Sequence, residues 1–428
     1  MAGESARDLS GLKNWSSAST DWRSIGDEPV DELVKQLETD GVSFEKIARA
    51  LNTIERNNQR IPDDLPKEVQ GDLPPGLIDF FQSTAAFPDD FADHHKVRMA
   101  EHMFTEHGSL AFIALACSSL PECYADKLGA PVLSATGQLI DRVQARVVET
   151  AQILIAVMAP GGMDPNSNGS GILMAQKVRL RHAWMRHWLE QDPSPDRGNA
   201  PPTNLREAFL NLDWRSQFAH LFGKPINQED MAFTLLTFSW VILRSLRRIG
   251  VSEAELSEEV MDAYVHAWNV VGLILGVDKS LMAAGARDAE QMFTAVANKV
   301  QGRSADGVAL TAALLQFLED SIPAWLAAFR RTPAVLMRDL IGDDTADMLE
   351  VPVPNMFEKS GIKLGLRSLQ AVENLVEEAH SVMPVSRAAS TFLSRHFLEQ
   401  LYGKSRLGAG VFTVPPELRK SWKFRHNE

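Results

Sequence analysis

The sequence predicts an all-α protein, and three observations support this fold class. Apolar residues recur at helical spacing in the segments between clusters of proline, glycine and aspartate. Strand signals are nearly absent, because the chain has only 3 tyrosines, no run of alternating β-branched residues and no Asn-Gly or Asp-Gly hairpin between such runs. A chain of 428 residues needs no disulfide or structural metal to fold. We therefore expect one large helical domain.

Composition sets the expected domain boundaries. An N-terminal arm covers residues 1–75, the helical domain covers residues 76–407, and a C-terminal tail covers residues 408–428. The segment Gly403–Trp422, with Pro415 and Pro416, is expected to form a closing segment with little regular structure. Proline and glycine clusters mark both boundaries, as is typical of the ends of a domain.

The individual helices follow from the same spacing. Asn227–Gly250 and Glu259–Val277 are apolar on almost every side, which is typical of helices in the middle of a large helical protein. Gly272 and Gly276 leave one face of the second segment bare enough for another backbone or a flat ligand. Pro323 is expected to kink one helix. Further helices are predicted at residues 136–159, 172–190, 286–300, 306–330, 366–382 and 387–404.

The net charge and the hydropathy of the chain limit the binding partners that we expect for the protein. The net charge is −13, from 43 Lys plus Arg against 56 Asp plus Glu, which disfavours nucleic acid and anionic membranes. The longest nearly apolar runs, Met231–Leu243 and Ile153–Met163, are shorter than the ~18 residues that a membrane span needs. The N-terminus has no signal-peptide pattern. We expect no nucleic-acid partner, no membrane span and a cytoplasmic location.

The two cysteines also argue against some classes of protein. Cys117 and Cys123 are too few for a disulfide scaffold, which favours a reducing compartment. The helix that carries Cys117 is expected to end near Pro121. A thiol in an apolar helix is usually inert, and no Gly-x-Ser-x-Gly motif is present, so hydrolase chemistry is disfavoured.

The segment that most suggests chemistry is Lys177–His187. On a helix, Arg179, His182 and Arg186 share one face at spacings i−3, i and i+4. A haem needs a neutral imidazole for its iron and cations for its propionates, and this face offers both. A solvated basic face with a surface or hydrogen-bonded histidine explains the same spacing, so both interpretations stay open.

A second candidate face lies on the preceding predicted helix. Arg146, Glu149 and Thr150 are related by i, i+3 and i+4, and the apolar run Ile153–Val157 follows them. A few polar groups at one end of an apolar wall are typical of a binding pocket. They are also typical of an amphipathic helix end with an exposed pair of Arg146 and Glu149.

The loop between these two helices gives weaker signals. Asp164–Gly169 matches the first half of an EF-hand calcium loop, but the twelfth position is Ala175 where a glutamate is required. Gly169–Gly171 hints at a phosphate site, yet the element before it is a helix and not a strand. Turn formation is the simpler interpretation of both motifs.

Other histidines provide a competing metal site. His102 and Glu106 are one helical turn apart, and His95 lies further up the same face, which would suit zinc or non-haem iron. No second Glu-x-x-His unit completes this site. His266, one turn after Asp262, is either a buried hydrogen-bonded histidine or a pocket residue.

Several short segments together resemble the latex-clearing protein or rubber oxygenase family, which also contains the fungal endoplasmic-reticulum oxygenases of mycophenolic acid synthesis. Their order and spacing over about half the chain are the specific feature. The resemblance implies an all-α fold with a globin-like core that holds a b-type haem. The resembling segments are Gly108, Ser119–Tyr124, Thr136–Leu139, Arg146–Thr150, Val178–Arg186, Asn227–Asp230 and Trp268–Gly272 with Gly276.

The resemblance also implies residue roles. His182 matches the proximal iron ligand, and Arg146 and Thr150 match the arginine and threonine of the haem pocket. With a haem in place, Arg179 and Arg186 are expected by helical spacing to bind its propionates.

This chain departs from the family in two ways. Rubber-cleaving members can carry a lysine three residues after the pocket arginine, where this chain has Glu149. The stretch Asp126–Asp141 contains no glutamate that would match the family's catalytic one. These departures argue against rubber cleavage but not against oxygen activation.

The leading hypothesis is a haem b-dependent oxygenase that uses molecular oxygen on an apolar, unsaturated substrate such as a terpenoid or polyprenyl chain. The candidate catalytic residues are Thr150 and Glu149, the latter as an acid or base. A carboxylate against an apolar wall tends to acquire the raised pKa that suits proton transfer. One alternative is a haem carrier or gas sensor without turnover, and another is a cofactor-free helical protein.

Overall fold

Helices account for the regular secondary structure of the residues that the structure describes. A computed structural model describes residues 21–42, 44–84, 91–135, 143–190, 223–322, 330–354 and 414–422, and the structural statements below concern these residues. They contain no strand, and their single β-bridge joins Asp126 to Gln301. The all-α prediction is confirmed.

The α-helices of the described residues are numbered here in chain order. They are α1 Glu28–Thr39, α2 Phe44–Leu51, α3 Lys67–Gln70, α4 Pro75–Thr84, α5 His94–Ala114, α6 Leu120–Ala125, α7 Ala130–Ala135, α8 Val143–Met158, α9 Gly171–Glu190, α10 Gln228–Phe238, α11 Trp240–Ile249, α12 Glu258–Ile274, α13 Ala286–Val300, α14 Ala305–Asp320, α15 Thr332–Ile341, α16 Asp343–Met348 and α17 Pro416–Ser421. Short 3₁₀ helices at Trp22–Ser24 and Lys279–Leu281 and a π-helical stretch at Leu115–Ser119 complete the set.

The predicted helices that fall on described residues are present, with local differences. The helix predicted at residues 306–330 is α14, which ends at Asp320. The segment Asn227–Gly250 forms two helices, because the chain breaks at Ser239, whose hydroxyl donates to the carbonyl of Leu235 at 2.8 Å. The tail contains the short helix α17, so the prediction of little regular structure was wrong there. Pro323 and the helices predicted at 366–382 and 387–404 lie outside the described residues.

The helix that carries Cys117 does not end at Pro121, which corrects the prediction. The π-helical stretch Leu115–Ser119 connects α5 to α6, and Pro121 sits in the first turn of α6. The π-helical turn directly before Pro121 interrupts the regular i→i−4 hydrogen bonds of the helix, so a proline there removes no bond from a regular α-helical ladder.

The continuous helical stretch His94–Ala125 is long and apolar enough to cross a membrane by length and composition. The described residues contain one such stretch, and 94 % of its most apolar window is buried within the protein. This degree of burial is typical of a core helix.

The described residues fall into two compact units. The first takes its residues from Met1–Glu101, Ile155–Trp240 and Glu258–Lys299, and the second from His102–Leu154, Val241–Ser257 and Val300–Glu428. The described part of the predicted arm therefore belongs to the first unit, together with α9, α10 and α12. The division into an arm, one domain of residues 76–407 and a tail stays a prediction.

In the first unit, the start of α9 is fixed by a residue of the N-terminal region. The side-chain amide of Asn57 donates to the carbonyls of Gly162 at 2.8 Å and Asp164 at 3.1 Å, and its oxygen accepts the N–H of Leu173 at 3.2 Å. The first N–H groups of a helix have no partner inside the helix, so Asn57 caps α9 from outside. Helix α9 then packs against α1, α4 and α12.

In the second unit, an aromatic contact fixes the C-terminal helix. The indole N–H of Trp422 donates to the carbonyl of Thr105 at 3.0 Å, and its ring packs edge-on against Phe104 and Phe112. Gly108 provides the room for this ring, because a Cβ there would lie 2.4 Å from the Cζ2 atom of Trp422. A glycine of the resembling segments therefore has a packing role.

Replacing Gly108 by alanine should lower the free energy of unfolding by about 1–3 kcal/mol, because the added methyl group overpacks the contact with Trp422. Urea denaturation followed by circular dichroism measures this loss. Gly71→Ala is the control, since nothing lies within 4 Å of a Cβ at Gly71. Equal losses in the two variants would contradict the packing explanation.

Candidate functional site

His182 lies on α9 in the first unit and is half-buried. The arginine three residues before it, Arg179, forms a two-pronged ion pair with Asp27. The Nε atom of Arg179 is 2.6 Å from Asp27 Oδ2, and Nη2 is 2.8 Å from Oδ1. Such bidentate pairs are among the strong hydrogen bonds of proteins, and they fix the orientation of both side chains.

Gly276, at the end of α12, is part of the same arrangement. It has a left-handed backbone with φ of +85°, and a Cβ there would lie 2.5 Å from Asp27 Oδ2 and 2.7 Å from Arg179 Nε. A Cβ on Gly272 would lie 2.6 Å from a methyl group of Leu235. The bare face of this segment therefore accommodates neighbouring side chains, which corresponds to close packing rather than to a flat ligand.

Arg186, four residues after His182, is 1 % exposed. Its Nε donates to Asp31 Oδ1 at 2.7 Å and its Nη1 donates to the carbonyl of Ile226 at 3.0 Å. Lys224 contributes a second cation, 3.1 Å from Asp31 Oδ2. Both arginines that flank His182 thus have carboxylate partners within the protein, and their contact with haem propionates stays a prediction.

The competing metal site of separate protein ligands does not assemble in the described part of the chain. No group of three or more His, Cys, Asp or Glu side chains there could hold a metal ion. His102 and Glu106 are 3.9 Å apart but both are exposed, and His95 is exposed as well. Haem iron receives four nitrogens from its porphyrin and needs one imidazole from the protein. A single histidine such as His182 is therefore a donor set that fits a haem.

Hydrogen bonds within the loop before α9 use the side chains of Asp164 and Ser167. Asp164 Oδ1 accepts the N–H of Asn166 at 2.8 Å, and the hydroxyl of Ser167 donates to the carbonyl of Gly161 at 2.6 Å. The N–H of Gly169 donates back to Ser167 Oγ at 2.9 Å. These bonds confirm turn formation as the interpretation of the loop motifs.

The second candidate face lies on α8, and its residues Arg146, Glu149 and Thr150 belong to the second unit. The hydroxyl of Thr150 donates to the carbonyl of Arg146 at 2.8 Å. Burial raises the pKa of Tyr124 to about 12, and the nearby Arg146 guanidinium opposes this shift. Glu149 is exposed, so the structure corrects the expectation that this carboxylate lies against an apolar wall.

Comparison with known proteins shows to which family the chain belongs. Residues 106–361, more than half of the chain, match the family model described as ER-bound oxygenase mpaB/B'/Rubber oxygenase, catalytic domain. The chain belongs to this family.

Two relatives of the rubber oxygenase family illustrate the match. The rubber oxygenase of Streptomyces sp. (strain K30) is 25% identical over 362 residues, which cover 81% of this chain and 78% of the relative. A solved structure of latex clearing protein LCP in the closed state has a TM-score of 0.67 at 21% identity, covering 90% of this chain and 94% of that chain. The family predicted from the short segments is confirmed, and the structural likeness supports the all-α fold.

The region that matches the rubber oxygenase family contains His182, Arg146 and Thr150, whereas Asp27 and Asp31 lie before it. Sequence reasoning missed both aspartates as partners of the arginines. Their spacing of four residues at the start of an amphipathic helix was the available signal, but it does not identify a partner about 150 residues away.

A buried carboxylate in the second unit of this rubber oxygenase family member was missed as well. Glu122 is 2 % exposed, and it accepts hydrogen bonds from Arg244 Nη2 and Gln301 Nε2. The segment Ser119–Tyr124 contributed to the family resemblance, yet its sequence alone does not show that its carboxylate is buried and paired. Cys117, nearby in sequence, has its pKa raised to about 12 by burial, as expected of an inert thiol.

His266 in the first unit is a hydrogen-bonded histidine. Its Nε2 accepts the N–H of Asp93 at 2.9 Å, next to the start of α5, and its ring stacks on Phe91. Burial lowers the pKa of His266, Lys96 lowers it further, and Asp93 opposes them. A ring nitrogen can accept this bond only while it is unprotonated.

Acidification should therefore destabilise the protein through His266. Its pKa is lower in the folded state than the value of about 6.5 in an unfolded chain, so the unfolded state binds more protons below that pH. The free energy of unfolding then falls as the pH drops from about 7 to about 5, and this fall should be smaller in His266→Gln, which does not titrate. Urea denaturation across this pH range measures the difference.

The exposed His102 supplies the control for this pH effect. His102→Gln also removes one imidazole, but from an exposed position, so its stability should fall more on acidification than that of His266→Gln. If His266→Gln keeps the wild-type pH profile of stability, the burial of His266 does not cause the loss of stability at low pH.

Proposed function

We propose that this protein is a haem b-dependent oxygenase that uses molecular oxygen on an apolar, unsaturated substrate of the polyisoprene or terpenoid class. Its membership of a family of oxygenases supports the reaction type. The observation that carries the haem assignment is His182, a half-buried imidazole on a helix, in a structure whose described residues offer no three-ligand metal site. The substrate class comes from the names of the relatives.

His182 is the proposed iron ligand, and Arg146 and Thr150 are the proposed haem-pocket residues. When bound, the haem supplies an iron centre with which molecular oxygen can be activated. Arg179 and Arg186 are proposed as propionate partners that also keep their ion pairs with Asp27 and Asp31. The apolar side chains of α10 and α12 are proposed to hold the substrate and to exclude water, because hydrocarbon chains are bound mainly by apolar area.

The proposed catalytic residues have distinct chemical capacities. Thr150 uses its hydroxyl proton on the carbonyl of Arg146, so in this rotamer it offers acceptor lone pairs to a ligand. Glu149 is exposed, so it can exchange protons directly with water. We assign Glu149 to proton relay between solvent and the reaction rather than to a buried acid.

His182→Ala should reduce bound haem to less than about a tenth of the wild-type content, because the iron loses its protein ligand. Absorption of the Soret band in protein purified after expression with ample haem precursor measures this loss. His102→Ala is the matched control, since it removes an exposed histidine and should retain full haem. A His182→Ala protein with full haem and an unchanged spectrum would overturn the ligand assignment.

Oxygenase activity should appear when the reduced haem-loaded protein meets oxygen and a panel of polyisoprene, squalene and other unsaturated terpenoids. Oxygenated products identified by mass spectrometry would support turnover, whereas oxygen binding without product would indicate a carrier or sensor. Glu149→Gln should keep its haem and turn over measurably more slowly than wild type, by less than about a hundredfold, because water can partly replace an exposed carboxylate as a proton source. Unchanged turnover in Glu149→Gln would remove this residue from the mechanism.

A further inference from the structure

The N-terminal region of the first unit contacts α9 at intervals along most of its length. We call residues 27–57 the N-terminal clamp. Its contacts begin at the start of α9, where Asn57 caps Leu173 and the ammonium of Lys177 donates to the carbonyl of Ile54 at 2.6 Å. They continue to the far end of the helix, where the ring of Phe44 packs edge-on against Trp184 and Trp188 and Glu38 pairs with His187.

Two contacts of the N-terminal clamp lie on either side of His182. Asp27 holds Arg179 and Asp31 holds Arg186, so both ends of an eight-residue stretch centred near His182 are attached to the same helix, α1, and its cap. The two carboxylates are 4 % and 6 % exposed. Buried ion pairs are restrictive, because displacing either partner leaves a charge without compensation.

The N-terminal clamp is outside the region that the family model matches, whereas its arginine partners are inside it. The role of Asp27 and Asp31 therefore does not come from the family assignment. It comes from the geometry of the first unit, where Gly276 also leaves room for the pair of Asp27 and Arg179.

We propose that Asp27 and Asp31 are positioning residues for the binding of haem by His182. By holding Arg179 and Arg186, they fix the rotation of α9 about its axis and its position along that axis, and thereby the place of the His182 imidazole. Groups beyond a metal ligand commonly orient it in this way and thereby tune both affinity and the metal–ligand bond. This inference rests on the proposed function of His182.

The test compares Asp27→Asn and Asp31→Asn with the wild-type haem protein. Each amide keeps the size of the side chain and removes the charge that holds the arginine. Glu32→Gln is the matched control, because Glu32 lies on the same helix and forms an exposed pair with Lys35. We measure the iron–histidine stretching frequency of the reduced protein by resonance Raman and the rate of haem transfer to excess apomyoglobin.

In both aspartate variants, haem loss should be about tenfold faster and the iron–histidine band should shift, while Glu32→Gln behaves as wild type. The thermal midpoint of the haem-free proteins separates this effect from a loss of stability. Wild-type Raman bands and transfer rates in the aspartate variants, even with a lowered midpoint, would overturn the proposal.

Arg179→Lys provides a second route if the aspartate variants do not fold. Lysine keeps the charge beside Asp27 but cannot form the two-pronged pair, so the same readouts should change in the same direction by a smaller amount. Unchanged readouts in Arg179→Lys would also overturn the proposal. A wild-type protein without a Soret band, or a His182→Ala protein that retains it, would instead show that the proposed function has failed.

Discussion

The burial of Arg186 is the constraint on which much of the first unit depends. A guanidinium remains charged at any accessible pH, and removing it from water is costly unless carboxylates and carbonyls replace the lost hydration. With 1 % of its surface exposed, Arg186 receives this compensation at Nε from Asp31 and at Nη1 from the carbonyl of Ile226, while its buried Nη2 has no hydrogen-bond partner among the residues that the structure describes. The helix that carries Asp31 must therefore lie against α9, and the chain before α10 must bring Ile226 to the same place.

Placing the carbonyl of Ile226 beside Arg186 strains the backbone at Ile226. Ile226 has a φ of +51°, a conformation that a β-branched residue rarely adopts and that costs about 1–3 kcal/mol. The bond from Arg186 to its carbonyl and the cap that Asn227 forms on α10, where Asn227 Oδ1 accepts the N–H of Asp230 at 2.9 Å, help to hold this conformation. Through its ion pair with Asp31 and its bond to Ile226, Arg186 thus connects the positions of α1, α9 and the start of α10.

Local sequence patterns were sufficient for the fold class, but not for the partners of charged groups, and the role of His182 stays a prediction. Helical spacing placed Arg179 and Arg186 beside His182 correctly, because that relation depends only on the pitch of one helix. Their carboxylate partners come from a segment about 150 residues earlier, and no periodicity connects the two segments. The exposure of Glu149 and the continuation of the helix past Pro121 were missed for a similar reason, since both depend on neighbours that the local pattern does not contain.

The paired arginines also limit how a haem could be held. A propionate that took Arg179 from Asp27 would leave a buried carboxylate without its cation, at a cost of about 3–5 kcal/mol. An ion pair with a solvated propionate returns about 0–1 kcal/mol. Exchange of partners is therefore unfavourable, so the proposed propionate contacts of Arg179 and Arg186 must form while each arginine keeps its aspartate. Arginines held in this way keep α9 in place, and they provide the rigidity that His182, as a single protein ligand, requires.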